Sequence, residues 1–371
     1  MKILQAVLFK TTASGPTTVL KPIIERLNNK GHKVDVFSTL EFSSERKDLV
    51  SQLGGDYYFL EESIIKNTAH LIKKIPSLKS YDLVHIHGVY NINHVLLARL
   101  LKKNNIPYII STHGGLMEEA LKKSKYKKKI AINFLIKNMI AQASAIHALN
   151  KNEARSIAKI YKHNNIEIIH NGVYEESFNK TIDDFNHKKF NLLFIGRIDS
   201  YHKGLDILLD ALENEKFKDL INLYLVGPYL GEANKEYIEN RMSNSKVLKN
   251  IVNIEGPKYA DEKTKYYREA DFFIHTSRHE GMPMAVLEAM SAGIPVIVTP
   301  GTNMVEIIKE SSGGLNVDFD KKSIKKTIDK ATVLTKEDLF EMGNKAKKYC
   351  QTELSWDTII EEYEKMYQEL L

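Results

Sequence analysis

The chain is 371 residues long, 43% apolar and 27% charged, which excludes a wholly disordered protein and makes two domains the default expectation. A single cysteine, Cys350, excludes a disulfide framework or a cysteine-built zinc site and suits a reducing compartment. The formal net charge of +6 admits an anionic ligand, a membrane surface or nucleic acid without choosing among them.

Met1 to Phe9 is apolar but short and has no small-residue cleavage site, so it reads as a buried first strand over Ile3–Phe9 and not as a signal peptide. No run of about eighteen apolar residues is present to span a membrane. A loop from Lys10 to Thr17 holds Ser14, Gly15 and Pro16. Val19, Leu20, Ile23, Ile24 and Leu27 then mark one face of a helix, which Gly31 ends. Val34–Ser38 completes a β-α-β unit, the mark of a parallel sheet with right-handed crossovers.

Further strands are expected at Tyr81–His87, Pro107–Ser111, Ala145–Ala148 and Ile166–Ile169, with a helix over Asn93–Asn104. Tyr174 to Lys189 is polar and aperiodic and reads as a linker region. A second series starts at Asn191–Ile195 and continues at Ile221–Val226, Val252–Ile254, Phe272–His275 and Pro295–Val298. This restart predicts two doubly wound α/β domains in tandem, 1–172 and 173–355. A last amphipathic helix covers 356–371, with Ile359, Ile360, Tyr363, Met366 and Tyr367 on its apolar face.

Two segments carry chemistry. In Arg278-His279-Glu280-Gly281-Met282-Pro283-Met284-Ala285-Val286-Leu287-Glu288, two glutamates flank seven residues just after a strand. Pro283 suits a first helical turn, leaving Glu280 in the loop and Glu288 in the second turn. The amides of Gly281 and Met282 would then stand unpaired at a helix N-terminus, suited to anions or hydroxyls. A helix with two solvated glutamates is the plainer reading. The other segment is Gly196-Arg197-Ile198-Asp199-Ser200-Tyr201-His202-Lys203-Gly204, between a strand and the helix of Leu205, Leu208, Leu209 and Leu212. Its two cations, six residues apart, can converge on a diphosphate or merely be solvated.

Together these pieces resemble the GT-B glycosyltransferases, in particular the retaining family 4, over almost the whole chain. Glu280 and Glu288 match its E-x7-E motif, and Arg197 and Lys203 its donor-phosphate cations. Asn171-Gly172-Val173 matches the junction segment, and Ser291-Ala292-Gly293-Ile294-Pro295-Val296-Ile297 a familiar turn and strand. Trp356 begins what looks like the family's last helix, which packs back on the first domain. His87-Gly88 and Ser111-Thr112-His113-Gly114-Gly115-Leu116 are similar to members that assemble bacterial surface polysaccharides.

The resemblance implies a cleft between an acceptor-side first domain and a donor-binding second domain. It implies a nucleoside-diphosphate sugar donor, a glycan or lipid-linked acceptor, retention of configuration, and no metal. His113 and Glu280 would act on the transferred sugar, Glu288 on the donor ribose, and Arg197 and Lys203 on the diphosphate. Gly281, Met282 and Pro283 would line the donor site, and Ser14 and Gly15 would approach the phosphates. Many members have two glycines at that last place, where this chain has Ser14-Gly15.

Asp318-Phe319-Asp320 reads as a turn and helix cap ahead of a metal site, and His85, His87 and His94 as satisfied histidines ahead of ligands. From Ala120 to Ile140 seven lysines, among them Lys122, Lys123, Lys125, Lys127, Lys128 and Lys129, accompany no acid and lead into apolar residues. That pattern suits an anionic membrane surface or a solvated face over a core helix; nucleic acid is not expected, since no recognised module accompanies the charge. The expected location is cytoplasmic, peripheral on the inner face of the membrane. Alternatives are a non-catalytic sugar-nucleotide-binding scaffold subunit and a GT-B epimerase. A nicotinamide dehydrogenase shares the fold class but lacks G-x-G-x-x-G after either first strand.

Overall fold

The computed structural model describes residues 1–7, 15–38, 55–59, 75, 78–122, 125–175, 178, 180–185 and 188–371, with the side chains of 15–18, 125, 127 and 260 left aside. The chain forms two compact units, Met1–Gly172 with Trp356–Leu371, and Val173–Ser355.

The first unit holds a seven-stranded parallel sheet. Its strands are β1 Lys2–Val7, β2 Lys33–Ser38, β3 Tyr57–Phe59, β4 Leu83–His87, β5 Tyr108–Ser111, β6 Ala145–Ala148 and β7 Ile166–Ile168, in the order β3-β2-β1-β4-β5-β6-β7. Leu8 and Phe9 of the expected first strand lie outside the described residues. The first helix runs Gly15–Asn29, so Gly15 opens it and does not lie in a loop reaching Thr17 as expected. Pro16, lacking an N–H, is tolerated there because the first-turn donors have no partner within the helix. Gly31 follows at φ +84°, a left-handed turn that suits glycine.

Parallel strands buried on both faces are near-continuous apolar runs, and one face of this sheet keeps that rule. Leu4, Ala6, Val84, Ile86, Ile110 and Ile146 pack on it into the unit's core. The opposite face does not. The register pairs Gln5 with His85, His87 with Ser111, and Ser111 with His147. Residues in register point the same way, so a polar seam crosses β1, β4, β5 and β6. The C-terminal helix Trp356–Gln368 belongs to this unit and buries Trp356, Ile359, Ile360, Tyr363, Met366 and Tyr367. Tyr363 and Tyr367 reach the polar seam.

The second unit repeats the plan with β8 Phe190–Ile195, β9 Ile221–Val226, β10 Val252–Gly256, β11 Phe272–His275, β12 Val296–Val298 and β13 Gly314–Asn316, ordered β10-β9-β8-β11-β12-β13 and all parallel. β13 and the three-residue β3 are strands that the periodicity did not reveal, being too short to show one. Nor are the described residues of 174–189 a loose linker. Phe178 and Phe185 are buried, and Lys180 is buried with its ammonium donating to the Arg268 and Ala270 carbonyls at 2.6 and 2.7 Å. Isolated anchors in irregular backbone leave no period to read.

Gly172 ends the first pass through unit 1 beneath the Trp356 ring, where an added Cβ would lie 2.4 Å from the indole. Gly172→Ala should therefore cost about 1–3 kcal/mol through overpacking. Urea unfolding would show a lowered midpoint; an unchanged midpoint would mean that the indole shifts freely.

Candidate active site

In open α/β sheets ligands gather at the carboxyl ends of strands, where the strand order reverses. In unit 2 that place lies between β8 and β11. β8 delivers the loop Gly196–Gly204, and β11 delivers Thr276–Pro283. Several contacts stitch the two loops together. Thr276 Oγ1 donates to the Lys203 and Gly204 carbonyls at 3.1 Å each, and Arg278 N donates to the His202 carbonyl at 3.0 Å. The Arg278 guanidinium donates to both oxygens of Asp206, at 2.8 and 2.7 Å, and lies 4.0 Å over the Tyr201 ring. Gly204 has φ +64°, and a Cβ there would stand 2.0 Å from the Thr276 carbonyl oxygen. Only glycine permits that approach.

Glu280 is the centre of this arrangement. Its Oε1 accepts from Lys203 Nζ at 2.6 Å, from Ser277 Oγ at 2.8 Å and from His275 Nε2 at 3.3 Å. Burial pushes its carboxyl upward, but the His275 hydrogen bond and the Lys203 ammonium outweigh that and hold it well below the usual carboxylate range. Burial keeps His275 neutral. The Glu280 backbone is held as well, N–H to the Gly301 carbonyl at 2.8 Å and carbonyl from Asn303 Nδ2 at 2.6 Å. Glu288 lies in the second turn of helix Met284–Ser291, ion-paired with Lys263 and accepting from the Tyr267 hydroxyl at 2.9 Å. Neither glutamate is merely solvated. Arg197 is exposed and has no hydrogen-bond or ion-pair partner among the described residues.

One expectation changes in detail. Pro283 is the N-cap, at φ −75° and ψ 115°, and the helix begins one residue later at Met284. Its ring permits that extended ψ, and its carbonyl accepts the first helical bond from Val286 at 3.1 Å. The Gly281 carbonyl accepts from Asn303 Nδ2 at 3.4 Å.

Ser14 lies outside the described residues. His113 follows β5 at φ +47°, a left-handed backbone uncommon for a side-chain-bearing residue. What holds that turn is Glu153, a fully buried carboxylate on helix Lys151–Ile160. It accepts from Thr112 Oγ1 and Gly114 N on either side of His113, and from Leu149 N at 2.8 Å. The His113 ring stacks on His87 with 5.2 Å between centroids, and Nε2 of His113 is 2.9 Å from Nδ1 of His87. His85 is bonded at both ring nitrogens, and His94 Nδ1 donates to the Gly88 carbonyl at 3.1 Å. Asp320 caps the helix Lys321–Ala331, accepting from Ser323 N at 2.9 Å.

The basic stretch forms helices Glu118–Lys122, Lys125–Ala131 and Lys137–Ala141 around a π turn at Ile132–Ile136. Ile132, Ile136, Met139 and Ile140 are buried, whereas Tyr126, Ile130 and Phe134 are 83%, 62% and 75% exposed. Lys122 and Lys129 are exposed, and Lys128 lies 5.0 Å over the Tyr90 ring. Lys123 and the side chains of Lys125 and Lys127 lie outside the described residues.

Sequence reasoning missed Ser277, Lys263, Tyr267 and Asp206 in unit 2, and Gln5, Ser111, His147, Glu153 and Tyr367 in unit 1. A signal for the latter set was present: polar residues at alternate positions of otherwise apolar strands, as in Leu83-Val84-His85-Ile86-His87 and Ala145-Ile146-His147-Ala148.

The family described as Glycosyl transferases group 1 matches residues 175–349, and that described as Glycosyltransferase Family 4 matches residues 13–177. A GDP-mannose:cellobiosyl-diphosphopolyprenol alpha-mannosyltransferase of Xanthomonas campestris is 26% identical over 66% of this chain and 63% of its own. An O-antigen biosynthesis glycosyltransferase of Escherichia coli is 23% identical over 96% of this chain and 95% of its own. Among solved structures, an Anabaena protein in complex with UDP and glucose superposes with a TM-score of 0.78 at 17% identity, covering both chains in full, a likeness of fold alone. With the two family matches meeting at residues 175–177, the chain belongs to glycosyltransferase family 4 and is a glycosyltransferase of the GT-B fold.

Proposed function

We propose that the enzyme transfers a sugar from a nucleoside diphosphate to a glycan or lipid-linked acceptor, with retention of configuration, in the assembly of a bacterial surface polysaccharide. The observation that carries this reading is the arrangement at the β8–β11 switch point. There Glu280 is tethered to Lys203, Glu288 lies eight residues further on in the second turn of the following helix, and Arg197 has no partner among the described residues. The names of the Xanthomonas and Escherichia relatives support the surface-glycan and lipid-linked parts of it.

The chemistry follows from charge. When the bond from the anomeric carbon to the diphosphate oxygen breaks, negative charge develops on the leaving group. In this reading Arg197 and the two ammonium protons of Lys203 not given to Glu280 supply the positive charge that meets it, with no metal. Holding Lys203 on a buried carboxylate fixes the ammonium before the donor arrives, so little is spent on reorganisation. The acceptor hydroxyl attacks on the face the diphosphate leaves, and its proton passes to a phosphate oxygen. Glu288 takes the donor ribose hydroxyls and Glu280 the hydroxyls of the sugar. His113 lies beside that sugar. Gly15, Gly281, Met282 and Pro283 complete the donor contacts, and Ser14 joins them from the first loop.

The acceptor side belongs to unit 1. Tyr126, Ile130 and Phe134 recur every four residues and share one exposed face with lysines beside it, a pattern suited to an anionic lipid surface. The enzyme thereby works in the cytoplasm, peripheral to the membrane.

A panel of UDP, GDP, ADP and CMP with their common sugar conjugates, read by thermal shift, tests the donor site. One diphosphate series should raise the melting temperature; no response at millimolar concentration from any of them would remove the donor reading. Arg197→Ala should lower kcat/KM by about a hundredfold, near 3 kcal/mol. Its melting temperature should stay unchanged, because Arg197 supports no group among the described residues. Ile130→Glu with Phe134→Glu should abolish sedimentation with vesicles containing phosphatidylglycerol, and retained sedimentation would dismiss the lipid face.

A further inference from the structure

The polar seam of unit 1 forms one continuous hydrogen-bonded line, and its proton order can be worked out from one end. The Ile169 carbonyl, 2.8 Å from His147 Nε2, can only accept, so His147 carries its proton on Nε2. Burial keeps His147 neutral, with its pKa pushed down to about 4, which leaves Nδ1 bare. Ser111 Oγ lies 2.5 Å from that nitrogen and must donate to it. With its one proton committed, Ser111 accepts from His85 Nε2 at 2.6 Å. His85, likewise held neutral by burial, then takes the Tyr367 hydroxyl proton on Nδ1 at 2.7 Å. The Tyr367 oxygen accepts from the Gln5 amide nitrogen at 3.3 Å, which turns Gln5 Oε1 toward His87 Nε2 at 2.7 Å. His87 must therefore donate from Nε2, and its bare Nδ1 receives the proton of His113 Nε2 at 2.9 Å. Every link donates toward Ile169. The Tyr363 hydroxyl, 3.5 Å from His147 Nδ1, is too distant to displace Ser111.

We propose that this relay sets the tautomer of His113, holding its proton on Nε2 so that Nδ1 stands bare as a hydrogen-bond acceptor for a hydroxyl of the donor's transferred sugar. Gln5, His87 and Tyr367 are thereby positioning residues, although none is near a strand end by sequence inspection except His87. The second half of the proposal rests on the donor reading above; the first does not. No described residue donates to His113 Nδ1, and that atom is not among the buried polar atoms left unpaired. Glu153 holds the backbone of the same turn, so the ring is constrained at both ends. Burial also pushes the His113 pKa down to about 3, which suits an acceptor that stays neutral rather than a proton carrier. An amide and a tyrosine are apt links, since each can pass on a direction of donation without titrating near neutral pH.

Histidine-selective nitrogen-15 spectra of the full chain, without ligand, read the tautomer directly. His113, assigned by the signals lost in His113→Gln, should appear as the single Nε2–H form. Gln5→Leu removes the acceptor of His87 Nε2, so His113 should become a mixture of both forms. Tyr367→Phe releases the orientation of the Gln5 amide and should do the same if Gln5→Leu does not fold. A wild-type Nδ1–H form, or a His113 signature unmoved in the folded variant, would overturn the relay. Binding is then compared for UDP against UDP-glucose and GDP against GDP-mannose. In the responding pair the variant should lose about tenfold for the sugar conjugate and nothing for the bare diphosphate. Equal affinities in variant and wild type would overturn the sugar contact while leaving the tautomer result standing. A protein that binds none of the four probes would sink the donor reading and the role of Nδ1 together, again apart from the spectra.

Discussion

A polar group shut away from water in a packed sheet must find a partner or cost the fold about 1–3 kcal/mol, and this constraint organises both halves of the enzyme. In unit 1 five polar side chains share one face of a parallel sheet that would ordinarily be apolar. They are tolerated because they bond one another, the C-terminal helix and one strand-end carbonyl. In unit 2 a nearly buried carboxylate is tolerated because an ammonium, a hydroxyl and an imidazole all point at it. In both units the compensated group lies beside a residue that the proposed function assigns to the ligand. Chemistry and stability therefore draw on the same bonds.

The two solutions differ in kind. The unit 2 cluster is a charge balance: Lys203 and Glu280 each make the other's burial affordable, and removing either leaves an uncompensated charge. The unit 1 seam contains no formal charge at all, because burial keeps its histidines neutral. What it supplies is direction, a definite placement of protons in a line of groups that could each be drawn either way. Salt screens a charge balance near the surface, whereas a directional line deep in a core is indifferent to ionic strength.

Much of this was legible in the sequence, and the reason is periodicity. Strands buried on both faces are short apolar runs closed by glycine, and twelve-residue helices show their stripe, so both sheets could be anticipated from Ile3 to Val298. Glu280, Glu288, Arg197 and Lys203 were legible because their loops have motif spacing. The partners were not. Lys263 and Tyr267 reach Glu288 from a separate helix, and Tyr367 meets His85 across 282 residues of chain. Contacts of that span are made by topology and leave no local pattern. The aperiodic stretch after Tyr174 was misjudged for a related reason: Phe178, Lys180 and Phe185 anchor it singly.

The course of the chain through the two units bears on how the enzyme is made. Unit 2 is inserted into unit 1, whose covering helix, Trp356–Gln368, follows unit 2 in the chain and so leaves the ribosome after it. Until then the first sheet has its strands but not Tyr367 or Trp356, and the line of protons running to Ile169 is broken in the middle. The order of the His113 ring thus depends on chain that follows unit 2, and loss of residues 356–368 would remove the Tyr367 link while leaving every residue of unit 2 in place.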